Sequence, residues 1–261
     1  MTLNLETPKE IRASMRRGEW TKSTHGLAPG YVQANLVVLP QKLAFEFLLF
    51  CQRNPKPCPV LDVTEVGDPE PKLVAPGADL RTDLPKYRVY EYGELKREAT
   101  DIRPFWQSDS VAFLLGCSLT FEAALLQAGI PLRHIEEGKI VPMYITNIPC
   151  QPAGRFQGPT VVTMRPIPEK QAVQAIQITA RYPRVHGAPI HIGKPESIGI
   201  SNLGQPDFGD AIRIKPDEVP LFWACGVTPQ AVAQKAKLPL LISHAPGHMF
   251  ITDILNEELS S

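Results

Sequence analysis

The chain has 261 residues, 43% of them apolar, enough to bury a sizeable core as one large domain or two small ones. Lysine plus arginine equals aspartate plus glutamate at 27 each, which gives no support for a nucleic-acid or anionic-membrane partner. Met1 to Trp20 lacks the apolar core of a secretory leader and no run is long enough to span a membrane. With five cysteines and no C-x-x-C pair, a cytoplasmic protein with reduced thiols is expected.

Proline, at 27 residues, predicts short elements and many turns. Thr7-Pro8-Lys9-Glu10 is a helix start: a capping threonine, proline at the first position and glutamate three residues on. That helix should run to about Arg17 and stop at Gly18, with Arg12, Arg16 and Arg17 on a solvated face. Gly26 and Gly30 precede a predicted strand, Gln33 to Leu39. Pro40 then opens a helix to about Arg53 that is apolar nearly all round, which predicts deep burial. Val60 to Val66 alternates as a strand, and a loop-rich stretch containing A-D-L-R-T-D-L-P-K-Y-R-V-Y follows. Val111 to Leu132 reads as an apolar strand, a tight turn at Cys117 and a helix. Met143 to Ile148 (M-Y-I-T-N-I) is a closing strand.

The same order then returns. Gly154 and Gly158 precede a strand, Thr160 to Arg165, and Pro168 opens a helix to about Arg181. Pro40, Lys42, Ala44, Arg53 and Pro55 fall on Pro168, Lys170, Ala172, Arg181 and Pro183 at a constant offset of 128. A strand is expected at Ala188–Ile192. Val219 to Leu240 repeats Val111 to Leu132 at an offset of 108 with seven identities in 22 positions, and Met249 to Ile254 (M-F-I-T-D-I) repeats the closing strand. The chain therefore reads as a diverged tandem duplication, 26–148 and 154–254. The fold class is α/β, with mixed sheets and helices on both faces.

The two strand–Cys–helix turns are the natural binding features. The first N–H groups of a helix lack partners and the helix dipole adds partial positive charge, so each turn can receive an anion. Cys117 and Ser118 mark the first turn, and Cys225, Gly226 and Thr228 the second, with Thr228 the expected N-cap. Two such turns suit a small carboxylate with two anionic groups. Arg155, in a glycine-bounded loop, could clamp a carboxylate. Cys117 could serve as a nucleophile, since a helix N-terminus lowers a thiol pKa. Differences between the copies mark candidate reacting groups: Glu122 is replaced by Gln230 and Asn147 by Asp253. The second half also holds His186, His191, His244 and His248. His244 and His248 are four apart, but Ala-Pro-Gly between them argues for a loop, so no metal site is expected. Neither a Walker loop nor G-x-G-x-x-G is present and no cofactor is expected. A homodimer is the expected association, because twofold dimers are common.

Several motifs are those of a known family. P-A-G-R-F at Pro152–Phe156, V-H-G-A-P-I-H-I-G at Val185–Gly193 and F-W-A-C-G-V-T-P-Q at Phe222–Gln230 resemble the D-glutamate cyclase family. So do H-A-P-G-H-M at His244–Met249 and G-A-D-L-R-T-D-L-P-K-Y-R-V-Y at Gly77–Tyr90. The resemblance implies a larger three-layer α/β part and a smaller two-layer α+β part, which we place at 150–193. It also implies a hydro-lyase reaction in which D-glutamate loses water to give 5-oxo-D-proline. Such chemistry needs an anion pocket, donors for an oxyanion, a base and an acid. The resemblance assigns no catalytic residues; Glu122, Asp210, His244 and His248 are the candidates for acid and base. The alternatives are a hydro-lyase with another substrate, a non-catalytic binder of a dicarboxylate or amino acid, and a thiol hydrolase.

Overall fold

The computed structural model describes residues 7–260. Helix α1 (Pro8–Arg16) opens as its sequence dictates. Thr7 Oγ1 accepts the Glu10 N–H at 3.3 Å, and Glu10 Oε2 accepts the Thr7 N–H at 3.0 Å. The first half continues with β1 (Tyr31–Pro40), α2 (Gln41–Arg53), β2 (Val60–Val63), β3 (Tyr87–Glu91), β4 (Glu94–Ala99), β5 (Ser110–Gly116), α3 (Leu119–Gln127), α4 (Arg133–Glu136) and β6 (Met143–Pro149). The second contains β7 (Pro159–Pro168), α5 (Ala172–Ala180), β8 (His191–Ile192), β9 (Glu218–Ala224), α6 (Val227–Lys235), β10 (Leu241–His244) and β11 (Phe250–Leu255).

The strands form a seven-stranded sheet, ordered β2-β5-β1-β10-β3-β4 with β11 also on β1, and a four-stranded sheet, β6-β7-β9-β8. The α/β class stands. Within it, each of these strand pairs is antiparallel, where mixed sheets were expected. The reason is that the helix following each cysteine turn carries the chain into the other sheet, from β5 to β6 and from β9 to β10, so it places no parallel neighbour beside the strand it leaves. The four-stranded sheet draws on residues from Met143 to Ala224, a wider span than 150–193.

Residues related by the two sequence offsets also match in strand register. Ala34 lies opposite Gly116, and the residues made equivalent by the two sequence offsets, Val162 and Ala224, also lie opposite each other. Ala34 pairs with Phe250 on its other side, as Val162 pairs with Tyr144. These last pairings reveal an exchange. The closing strand of the first half, β6, pairs with β7 of the second, and β11 of the second pairs with β1 of the first. Matching threonines fasten both: Thr146 donates to the Thr160 carbonyl at 2.7 Å and Thr252 to the Val32 carbonyl at 2.8 Å.

One pair of equivalent segments breaks the symmetry. Residues 133–136 (R-H-I-E) form helix α4, whereas 241–244 (L-I-S-H), all buried, form strand β10. The charged set cannot lie inside a sheet without partners, while the apolar set can. Strand β10 pairs with β1 and β3, and so attaches the β3–β4 hairpin to the large sheet. Helices cover both faces of that sheet. Val32, Ala34, Leu36 and Val38 face Phe121 and Leu125 of α3 and Ala175 of α5. Val37 and Leu39 face Leu43, Phe47 and Phe50 of α2 and Val232 of α6. Helix α2 is not buried all round: Phe45 is 75% exposed. The small sheet packs Tyr144, Val162, Met164 and Phe222 beneath Ile198, Ile200 and Ile212.

Two arginines expected on a solvated face of α1 instead anchor it. Arg12 is buried and grips Asp253 with two bonds, at 2.8 and 2.9 Å, and a third to the Ile251 carbonyl at 2.9 Å. Arg16 grips the buried Asp83 at 2.7 and 2.6 Å. The change from Asn147 to Asp253 between the copies is thus explained by α1. Asp253→Ala should lower stability by about 3 kcal/mol, because it leaves the Arg12 guanidinium buried with one acceptor. Urea unfolding checks this, and a loss below about 0.5 kcal/mol would refute it.

Candidate functional site

Strands β5 and β9 each end in a cysteine turn. The Val227 N–H donates to Cys225 Sγ at 3.5 Å, and the Leu119 N–H holds the Cys117 sulfur in the same way. The N-caps are Ser118 and Gly226, and neither makes a side-chain cap bond. Thr228 is therefore not the cap that the sequence suggested. It sits within the first turn of α6 and bonds to Val161.

Burial pushes the Cys117 thiol up to about 12 and the Cys225 thiol to about 11. Both are neutral at physiological pH, which removes the basis for a cysteine nucleophile. Iodoacetamide at pH 7.5 should therefore modify neither cysteine within an hour in the folded protein. Rapid alkylation of Cys117, seen by mass spectrometry, would restore the thiol-hydrolase reading.

Beneath the turns lies a residue that sequence reasoning missed. Arg165, on β7, is fully buried. Its Nε donates to Glu122 Oε1 at 3.0 Å, one terminal nitrogen to Thr163 Oγ1 at 2.9 Å, and the other to Ser118 Oγ at 3.1 Å and again to Glu122. Its guanidinium lies over the rings of Phe121 and Trp223, 5.2 and 5.4 Å from their centroids. His134 Nε2 lies 3.1 Å from the same Glu122 oxygen. Burial alone would raise the Glu122 pKa, but Arg165 and His134 outweigh it and hold the carboxyl at about 2. Glu122 is thus an ionised anchor at neutral pH, and its expected role as a proton carrier does not fit this environment. The available signal was a lone arginine inside T-V-V-T-M-R-P-I, an otherwise buried strand that must supply its charge with a partner.

Two histidines stand near the turns. His244 ends strand β10 and does not lie in a loop. Its Nδ1 accepts the Leu36 N–H at 3.1 Å, with the Gln230 amide 2.8 Å away. His186 occupies the left-handed region at φ 83°, and its Nδ1 donates to the Lys56 carbonyl at 2.7 Å. It helps line a cavity of about 320 Å³ with Pro55, Lys56, Ala180, Pro183 and Gly187. This cavity adjoins the end of β5, where a side chain on Gly116 would meet the Arg184 carbonyl at 2.3 Å.

Burial lowers both imidazoles to about 4. Between pH 6.5 and 4 each therefore binds fewer protons folded than unfolded, so stability rises with pH across that window. Their contribution is complete above pH 6.5 and is lost as pH falls toward 4, on the order of 3 kcal/mol for each. Glu122, depressed below its unfolded value, adds a further loss as pH falls from about 4.5 toward 2. Urea midpoints that stay flat from pH 7 to 4.5 would contradict this.

The remaining candidates lie elsewhere. Asp210 Oδ2 accepts the Ile140 N–H at 2.9 Å and latches two loops. His248 Nδ1 bonds to the Pro246 carbonyl at 2.7 Å within its own turn. Arg155 pairs with Glu46 at 3.6 Å on the surface. The structure thus brings together Cys117, Ser118, Glu122, Cys225 and Gly226, with His244 alongside and His248 within electrostatic reach of His244, and does not bring Asp210 or Arg155 to them. Among the described residues, no group of three His, Cys, Asp or Glu could hold a metal ion, and no helix is long and apolar enough to cross a membrane.

The D-glutamate cyclase family matches residues 111–253, from β5 to β11. A Geobacillus kaustophilus protein named "Putative hydro-lyase" is 66% identical over 251 residues, covering 96% of this chain and 95% of its own. Proteins of the same description from Bacillus licheniformis and Bacillus subtilis are 63% and 61% identical, covering 99% and 97% of this chain and 98% of each relative. A nitrogen repressor-like protein from Methanococcus jannaschii aligns over 91% of this chain and 92% of its own at 11% identity, with a TM-score of 0.41, too slight a likeness to argue from. The cysteine turns, Arg165 and both buried histidines all fall inside the matched span, and the chain belongs to the D-glutamate cyclase family and, at the level of reaction class, is a hydro-lyase.

Proposed function

We propose that the chain dehydrates a small amino dicarboxylate at the carboxyl ends of β5 and β9, with D-glutamate closing to 5-oxo-D-proline. The observation that carries this reading is the buried Arg165, whose charge is felt at Cys117, Cys225 and His186 together. Glu122 offsets that charge, and the two helix N-termini above the pair favour an anionic substrate. In the reaction the α-amine, once deprotonated, attacks the γ-carboxyl carbon. A C–N bond forms, a C–O bond breaks, and the departing oxygen leaves as water. No redox or phosphate cofactor enters this balance.

His186 is the better-placed base. Its ring faces two backbone groups, the Lys56 carbonyl 2.7 Å from Nδ1 and Gly116, and both contacts favour a proton on the ring. His244 is the complementary donor, because Nδ1 accepts the Leu36 N–H and leaves the proton on Nε2. Glu122 holds Arg165 in place and acts as a positioning residue. Asp210 and His248 have no part in this scheme.

Proton NMR of D-glutamate with the purified protein, against L-glutamate and a protein-free blank, tests it. Stereospecific appearance of 5-oxo-D-proline is the expected result. Selective line broadening without product would replace it with the binding-protein reading.

A further inference from the structure

The two cysteine turns align residue for residue, but they are not fastened alike. In the second, the Cys225 N–H donates to the Val161 carbonyl at 3.0 Å and the Val161 N–H donates to Thr228 Oγ1 at 2.9 Å. The Thr228 hydroxyl donates back to the Val161 carbonyl at 3.2 Å. The turn is zipped to β7. The equivalent residues of the first half are Cys117, Thr120 and Gln33. There Thr120 Oγ1 is buried, with the residue 3% exposed, and has no partner among the described residues. A buried hydroxyl without a partner costs stability, and its twin makes two bonds.

Further differences fall on the same side. Cys117 keeps partial exposure while Cys225 is buried. The N-cap of α3 is Ser118, whose Oγ receives a bond from Arg165, so a buried cation touches the start of that helix. The N-cap of α6 is Gly226, and Asn35 occupies the space of a side chain there: a Cβ would lie 2.1 Å from its Nδ2. Access and an unmet hydrogen bond both collect at the first turn.

We propose that only the first turn binds substrate, and that it takes a carboxylate group, received by the Thr120 hydroxyl at the start of α3. The second turn is scaffold. This rests on the hydro-lyase site proposed above at the ends of β5 and β9, and it narrows that site to the first of the two turns. A carboxylate oxygen supplies the acceptor that Thr120 Oγ1 lacks, and the helix dipole favours an anion there; the Arg165 charge is offset by the ionised Glu122 of the same turn.

Isothermal titration with D-glutamate, and with glutarate, which lacks the amine, tests the assignment on wild type, Thr120→Val, Thr120→Ser and Thr228→Val. Thr120→Val should weaken binding at least roughly tenfold while unfolding no earlier than wild type, since it deletes an unpaired hydroxyl. Thr120→Ser should restore affinity. Thr228→Val should unfold earlier yet bind within about twofold of wild type; should it fail to fold, the Thr120 pair decides alone. Binding unchanged by Thr120→Val, or wild type that binds neither compound, overturns the assignment. Binding that depends on Thr120 without conversion of D-glutamate upholds it and defeats only the cyclase reading.

Discussion

Arg165→Met should be among the most damaging substitutions in this protein, lowering stability by about 3–5 kcal/mol. The side chain is fully buried, and its removal leaves the Glu122 carboxylate in the core with His134, 3.1 Å away, as its remaining close neighbour among the basic side chains. The loss has little to do with the intrinsic worth of a buried ion pair, because desolvation offsets most of the attraction. It comes from the uncompensated charge. A compensating change should therefore recover much of it: Glu122→Gln combined with Arg165→Met should be more stable than Arg165→Met alone. Urea unfolding of wild type, both single variants and the double variant gives the coupling directly. Additive losses would mean that the pair is not coupled as the distances indicate. Activity need not return with stability, since the double variant removes the cation beneath the site.

The second large effect is steric. Gly226→Ala would place a methyl carbon 2.1 Å from Nδ2, 2.6 Å from Cγ and 2.9 Å from Oδ1 of Asn35. The amide cannot simply step aside, because Nδ2 donates to the Gly116 carbonyl at 2.8 Å. Overpacking of about 1–3 kcal/mol is expected, with a further ~1–3 kcal/mol if the Gly116 carbonyl is left unpaired. Asn35→Ala in the Gly226→Ala background should relieve the clash, so the double variant should be less destabilised than the sum of the two single changes. A strictly additive double variant would show that Gly226 tolerates a side chain by moving the helix instead.

The repeat was legible because identical packing demands leave identical spacings. Pro40 and Pro168 both follow the long inner strands β1 and β7, and the closing M-x-I-T strands carry the same threonine fastening. What the sequence concealed were elements of one half that the other lacks. The β3–β4 hairpin turns at Tyr92-Gly93, both at positive φ. Tyrosine is a poor advertisement for such a turn, where asparagine or aspartate before glycine would have marked it. Strand β10 was hidden because its four residues are too few for periodicity to register and because Pro246 and Gly247 follow at once. At the site, the turns and their cysteines could be located from the repeat. Arg165 could not, because its equivalent at the offset of 128 is the apolar Val37 and the repeat carries no charge at that position. Asp210 and His248 were chosen by residue type, and type alone does not distinguish a latch between loops from a reacting group.

The exchange of β6 and β11 says something about how such a chain could arise. A polypeptide of half this length, folded on one copy of the plan, would have a β1-type strand with nothing along its outer edge. It would complete its sheet only by lending its last strand to a second copy and borrowing that copy's strand in return. The present protein thus preserves, inside one chain, the contact surface of a strand-exchanged homodimer. The peptide between β6 and β7 does for one chain what association at finite concentration would have to do for two. Within one chain the two halves need not be identical, and one cysteine turn is zipped to its sheet while the other is not.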